Sequence, residues 1–424
     1  MTRSWLRALP SRAALSIFVA GLALGCVTPY EPIPPLGSDR SVQNLDPDEA
    51  ALWKDSREIQ YKIEVSGLLF EDEDLESYMQ RVLRRVTPVE VKQAGIEPKI
   101  RVISDVNIDG YSFANGVIYI HTGLLSRMQD ESQLAALLSR EIAHVVYRHA
   151  LQAHRDARLR ADALAWVGVG ATLVEGGGNY KLLVQAASMT SAVGFSHHLE
   201  TTADREGLLI MRAADYPAKS TLALYDASLA HLAEVHAQGV WGWAPFSPPP
   251  QITARIQGYK MLIETEYIDQ SISRPPFETA KGFRRRVHRA TLHQCDLDLA
   301  KGLFVSAETC ARLATESGPR DPKAWITLGR ALAGQRAKPI AGRSIPPIQD
   351  VRDAYQKALA VDKRNAEATR ELGMTFYRPT GTGRSAEDTT NALRHLRRYL
   401  RLSPRAGDGD YIKGYIEELE AESN

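Results

Sequence analysis

Ser139-Arg140-Glu141-Ile142-Ala143-His144-Val145-Val146-Tyr147-Arg148-His149 is the stretch that decides how this chain is read. It continues an apolar run through Leu134, Ala135, Leu137 and Leu138, so a helix is expected. In the pattern H-E-x-x-H the two histidines stand one turn apart on one helix face. Both then reach a single zinc ion while the glutamate polarises the metal-bound water. Here Glu141 and His144 hold their places, and Arg140 stands where the first histidine would be. A guanidinium keeps its proton in a protein and offers no lone pair. At about 4 Å and an effective dielectric near 20, two unit charges repel by roughly 4 kcal/mol, and a dication doubles that. The question posed is whether this is an enzyme with altered ligation or an enzyme's fold without its metal.

Upstream, residues 99–104 alternate like a strand. Residues 111–116 read as strand then turn, and Val117-Ile118-Tyr119-Ile120-His121 is a second strand rich in β-branched side chains. A small sheet against the Arg140 helix would cradle an extended peptide. Before it, Glu58, Ile59, Tyr61, Ile63 and Val65 predict a helix facing a core and ending near Gly67. The acids of residues 71–76 open a second helix with Leu75, Tyr78, Met79, Val82 and Val86 inward. Downstream, His154, Arg155, Arg158 and Arg160 mark a basic helix, followed by an apolar run over 163–174 and a Gly176-Gly177-Gly178 break. Glu200 and Asp204 then lie one turn apart in Glu200-Thr201-Thr202-Ala203-Asp204.

These pieces carry a resemblance. Gly116 to Ile120, Thr122-Gly123-Leu124-Leu125, Glu141-x-x-His144, His149 and Glu200-x-x-Ala203-Asp204 resemble metallopeptidase family forty-eight, over residues 50–270. That family includes prenyl-protein endopeptidases, the heat-shock protease HtpX and periplasmic proteases bearing tetratricopeptide repeats. The resemblance implies zinc as cofactor, Glu141 as general base, His144 and Glu200 as metal ligands, and Asp204 as the residue orienting the site. Two departures stand out: Arg140 replaces the first ligand, and Pro249 stands where periplasmic members often place a histidine near the zinc. Arg140 is therefore expected to pair with Glu200 and Asp204 in place of the ion. His121, His197 and His198 are the alternative nitrogen donors.

The N-terminus reads as an export signal over 1–25. Arg3, Arg7 and Arg12 precede an apolar run over 13–24 that is too short to span a bilayer. It ends in Ala23-Leu24-Gly25-Cys26, which resembles a bacterial lipoprotein box with Cys26 as the acylated residue; Val27 after it favours the outer membrane. An ordinary cleaved signal ending near a cysteine is the alternative. Residues 26–45, with Pro32, Pro34 and Pro35, form a stiff tether. Across the chain 52 basic residues balance 51 acidic ones, which disfavours nucleic acid as a partner.

The last third turns helical. Trp325-Ile326-Thr327-Leu328-Gly329 and Ala354 to Leu359 resemble the two helices of a tetratricopeptide repeat. A second copy runs from Leu372-Gly373 to Leu402, and an insert at 339–347 stretches the first. Residues 293–313 read as an earlier helical pair, with Cys295 and Cys310 on either side of a turn at Lys301-Gly302. In an oxidising compartment these two could bridge, closing a loop of about fifteen residues for on the order of 3 kcal/mol. Free buried thiols are the alternative.

The expected fold is α+β: a mainly helical metallopeptidase-like domain with a small sheet over 46–275, then an all-α tetratricopeptide-like domain over 276–424. The expected function is that of an outer-membrane lipoprotein on the periplasmic face of a bacterial envelope. Such a protein would bind unfolded or outer-membrane protein clients through its cleft and repeats and hydrolyse weakly or not at all. An active zinc endopeptidase of protein quality control and a repeat-based assembly scaffold are the alternatives.

Overall fold

The computed structural model describes residues 33–37, 44–156, 182–183, 186, 190, 195–238, 249–267, 272–378 and 383–423. The signal, Cys26, most of the tether and the 163–178 segment lie outside them. Residues 1–34 and 35–424 separate as two units, and everything below concerns the second.

Helix α1 (Pro47–Val65) buries Ile59 and Ile63. Tyr61 and Val65, which the sequence pattern had assigned to the same inward face, are 65% and 64% exposed. Helix α2 (Glu73–Val86) is capped by the Asp72 side chain, which accepts from Leu75 N, and buries Leu75, Tyr78, Met79, Val82, Leu83 and Val86. After the short α3 (Val89–Gln93) come β1 (Lys99–Ile103), β2 (Gly110–Ser112) and β3 (Val117–His121). Their order is β1-β3-β2, with β1 parallel and β2 antiparallel to β3. Gly116, at φ 86°, makes the turn between β2 and β3, a backbone region open to glycine at little cost.

A single turn, α4 (Thr122–Leu125), leads to α5 (Glu131–Val146). Every residue of α5 from Glu131 to Val145 is buried, so its polar and charged side chains, Glu131, Arg140 and Glu141 among them, must find partners inside. The helix does not run on to His149 as the motif reading had it. It ends at Val146, Arg148 takes φ 55°, and a new helix starts at 149. The buried Arg148 is held there by Glu49, to whose Oε1 its Nε donates at 2.9 Å.

Glu131, at the N-terminus of α5, is fully buried. Its carboxylate accepts from Tyr78 Oη (2.8 Å), Tyr216 Oη (2.6 Å), Phe277 N (2.7 Å) and Glu278 N (2.9 Å). The positive helix end favours that charge. Through these bonds α2, α5 and the chain entering the last third are fastened at one point.

Then follow α6 (His197–Ala213), α7 (Ser220–Ala237) and α8 (Pro249–Glu266). The last third is a succession: α9 (Ala280–Arg286), α10 (His288–Ala300), α11 (Phe304–Ser317), α12 (Pro322–Ala337), α13 (Ile348–Val361), α14 (Ala366–Tyr377), α15 (Ala386–Leu402) and α16 (Gly409–Ser423). From α10 on, each helix packs on the next. Phe283, Val287 and Ala290 share one core with α2, β1, β3 and α5, whereas Ile326, Tyr355, Leu372, Phe376 and Leu396 belong to a second.

A buried polar seam joins the two ends. Thr122 donates to Gln294 Oε1 (2.7 Å), and Gln294 donates to Asp298 Oδ1 (2.8 Å). Arg127 reaches Asp298 Oδ2 (3.4 Å), Ser306 Oγ (3.2 Å) and Gly123 O (2.7 Å). His231 Nδ1 pairs with Ser306 Oγ (3.0 Å). Removing one member of such a buried pair leaves the other charge uncompensated. Arg127→Met should therefore lower the unfolding free energy by about 3 kcal/mol. The same change at Arg312, a surface residue on α11 paired to Glu308, should cost less than about 1 kcal/mol. Urea unfolding of the two variants measures the contrast, and equal losses would remove the seam's role.

Candidate functional site

Helices α5 and α6 meet at Arg140. The close approach needs Gly207, since a Cβ there would lie 3.0 Å from Arg140 Cα and 3.2 Å from its backbone nitrogen. That contact sets Glu200 and Asp204 against the Arg140 side chain. Arg140 Nη1 donates to Glu141 Oε1 (2.6 Å), Nη2 to Glu200 Oε2, and Nε to Asp204 Oδ1 (3.1 Å). One planar cation thus holds three carboxylates, the pairing expected from its charge together with a third partner.

A second guanidinium, which sequence reasoning had not singled out, comes from α8. Arg255 Nε donates to Asp204 Oδ2 (3.1 Å), and its Nη1 lies 3.3 Å from Glu200 Oε2. Tyr259, one turn on, donates from Oη to Asp204 Oδ1 (2.7 Å). Arg255 also lies over the Tyr225 ring at 5.2 Å. The motif's remaining charge, Glu141, is tied from the sheet side: Ser112 Oγ donates to its Oε2 (3.0 Å).

His144 lies one turn along α5 from Arg140, and its closest contacts are to other rings. Its Nδ1 sits 2.9 Å from His149 Nδ1, and its ring packs 5.0 Å from that of Phe195. His144 Nε2 is buried with no hydrogen-bond partner among the described residues. Burial first, then the Arg140 charge, hold both rings neutral: His144 is pushed well below the usual imidazole range and His149 down to about 4. Burial works against ionised Asp204, but Arg255 and Arg140 outweigh it and keep its pKa below the ordinary value. For Arg140 burial is likewise opposed, by Glu200 and the other acids, so the guanidinium is held charged.

The alternative donors are elsewhere. His197 and His198 are exposed at the start of α6, and His121 is buried beside Asp105, Nδ1 to Oδ1 3.6 Å. Pro249 opens α8.

Residues 71–262 match the family model described as Peptidase family M48. Every residue of the Arg140 cluster lies in that M48 segment. The chain is 29% identical over 124 residues to the putative beta-barrel assembly-enhancing protease of Vibrio cholerae, covering 28% of this chain and 26% of that protein. It is 27% identical over 121 residues to the beta-barrel assembly-enhancing protease of Escherichia coli K12, covering 27% and 25%. Against the mitochondrial metalloendopeptidase OMA1 of Schizosaccharomyces pombe it is 28% identical over 149 residues, covering 35% and 42%. The matches thus span from about a quarter to less than half of these relatives' own lengths.

Peptidases of this family use zinc, and the donor set at Arg140 does not fit it. Catalytic zinc takes three protein ligands and one open position. Among the described residues no group of three or more His, Cys, Asp or Glu side chains could hold a metal. Glu200 and Asp204 are engaged by two guanidiniums, and Arg140 supplies a charge in place of a lone pair.

Two outcomes follow. Arg140→Ala strips the buried acids of their main counter-charge and should cost about 3–5 kcal/mol, read as a loss of melting temperature against the Arg312→Ala control. The second concerns pH. His149 and His231 titrate near 4 in the folded chain, against 6.5 when unfolded. Between those values the unfolded state takes up protons that the folded state does not, so stability is complete above pH 6.5 and falls with acid. At pH 5 the loss is about 2 kcal/mol per histidine. Urea titrations at pH 7 and pH 5 should show that fall, and His149→Asn should reduce it.

Proposed function

We propose that this protein is a metallopeptidase-like envelope protein in which Arg140 has taken the place of the water-activating metal. It would bind unfolded or outer-membrane polypeptide clients and hydrolyse them weakly or not at all. The observation that carries this reading is the Arg140 guanidinium bonded to Glu141, Glu200 and Asp204 together. In the family's chemistry Glu141 would take a proton from water, His144 and Glu200 would hold zinc, and Asp204 would orient them. Here one oxygen of Glu141 accepts from Arg140 and the other from Ser112. A carboxylate with both oxygens engaged by donors, one of them cationic, is a poor base. Glu200 and Asp204, neutralised by Arg140 and Arg255, serve instead as struts between α5, α6 and α8.

The assembly role named for the bacterial relatives supports clients of the outer membrane. The domain plan belongs to the same proposal: a signal over 1–25 with Cys26 lipidated, a tether over 26–45, the peptidase-like domain over 46–275 and tetratricopeptide-like helices over 276–424. The succession α12 to α15, with Gly329 against the Tyr355 ring and Gly373 against Leu396, supports stacked helical pairs with a concave face for a client. Cys295 and Cys310, buried side by side on α10 and α11, would bridge in an oxidising envelope.

Metal analysis of protein purified without added zinc, paired with casein cleavage with and without chelator, tests the reading. The wild type should carry well under one zinc per chain and show no chelator-sensitive cleavage, and Arg140→His should raise zinc uptake. Near-stoichiometric zinc in the untreated wild type, with chelator-sensitive cleavage, would sink it.

A further inference from the structure

One concavity of the structure lies away from the Arg140 cluster and shares no residue with it. It is a cleft of about 730 Å³ between the end of α2, α3 and the start of β1, lined among others by Gln80, Arg84, Lys92, Pro98, Lys99 and Arg101. Two further hollows, of about 310 and 510 Å³, continue it along α2 past Arg81 and Arg84. The cations dominate. Arg81, Arg84, Lys92 and Lys99 are exposed, and Arg101 is half-buried against Glu76 at 2.7 Å. Glu97 is an acid on the wall of the main cleft, and Glu76 lines the adjoining hollow of about 310 Å³. Arg81 and Arg84 are three apart on one helix face, and Lys99 and Arg101 are two apart on one strand face, so the charges line the cleft in rows.

The floor of the cleft is an edge strand closed by a side chain. Among the described strands β1 has a neighbour, β3, on one side only. On the other side the Gln80 amide does what a neighbouring strand would do: its Nε2 donates to Pro98 O (2.8 Å), and Ile100 N donates to its Oε1 (3.2 Å). Further along, the chain at residues 68–70 covers the edge, with Phe70 N donating to Val102 O (2.9 Å).

We propose that this cleft is a docking site for an extended polypeptide segment carrying carboxylates, laid along the start of β1 in place of the Gln80 amide. A peptide unit offers the same donor and acceptor pair that Gln80 now supplies. A lipid phosphate offers acceptors only and would leave Pro98 O without a donor. The period of a strand then sets alternate side chains of the segment beside Lys99 and Arg101, so acids at every second position match the row. This surface is additional to the client-binding reading above and does not depend on the state of the Arg140 cluster.

The test uses the full chain and fluorescein-labelled peptides of alternating Glu-Val and alternating Lys-Val, with fluorescence anisotropy as readout. Glu-Val should bind, and raising sodium chloride from about 50 to 300 mM should weaken it. The double variant Arg84→Glu/Lys99→Glu, at two exposed positions, should lose about tenfold or more in affinity with an unchanged melting temperature. Gln80→Ala, which opens the edge, should tighten binding. Equal binding of the two peptides, or of Glu-Val to wild type and double variant, would overturn the proposal. So would Gln80→Ala weakening the interaction. Capture of wild-type protein by phosphatidylglycerol vesicles, lost in the double variant and without Glu-Val binding, would overturn it in favour of a membrane surface.

Discussion

A guanidinium buried between two helices has few ways to be tolerated, and Arg140 satisfies nearly all of them at once. Its three nitrogens point to Glu141, Glu200 and Asp204 within one plane. Arg255 adds a second cation against Glu200 and Asp204, so two positive groups face three negative ones. The geometry is directional in a way that a metal ion's is not. A zinc ion attracts donors radially, whereas a guanidinium fixes each carboxylate at a particular edge. Much of the arrangement of α5, α6 and α8 follows from meeting those edges. Gly207 allows the α6 backbone close enough for the short side chain of Asp204 to reach.

The same economy appears at Glu131 and along the Arg127 seam. α5 is buried throughout, so its N-terminal glutamate has no water and must draw donors from other elements: two tyrosine hydroxyls and the two backbone N–H groups of Phe277 and Glu278. That makes the segment leading into the last third part of the first core. The seam through Thr122, Gln294, Asp298, Arg127 and Ser306 then carries the connection from α4 to α10 and α11. Burial raises Asp298 to about 6, so this seam includes an acid whose charge is held only by its partners.

Much of this was legible from the sequence where one physical rule dominated. The apolar face of α2 and the alternation in β1 and β3 mark buried elements directly. For Glu200 and Asp204 it was the family resemblance that implied a place beside position 140, and the need of buried acids for a counter-charge then gave their pairing with Arg140. What could not be read were contacts made by ordinary-looking polar residues. Arg255 and Tyr259 sit on a helix with a plain apolar stripe (Ile252, Ile256, Ile263), but only the fold brings the guanidinium and the phenol hydroxyl onto Asp204. Gln294 and Asp298 would pass for an exposed helix face. The break after Val146 was hidden because Arg148 takes a left-handed conformation with no glycine to signal it, held by an ion pair to Glu49, about a hundred positions away in the chain. Tyr61 and Val65 misled in the opposite sense, since apolar residues at helical spacing need not all face a core.

The position of Arg255 bears on how far the proposed loss of metal chemistry extends. Were Arg140 a histidine, Glu200 would still have a guanidinium 3.3 Å from the same oxygen that Arg140 now engages. A metal entering there would have to compete with that cation for Glu200. It would also sit close to a fixed positive charge that Asp204 and Tyr259 hold in place. Asp204 would then matter twice over. While it keeps Arg255 turned toward itself, Glu200 can swing to a metal; without it, Arg255 is free to take Glu200 entirely. On this view the aspartate's task in the cluster is to divide two cations between two acids. That task is the same whether the first helix position carries a ligand or a charge, which gives a physical reason for Glu200 and Asp204 to be retained beside an arginine.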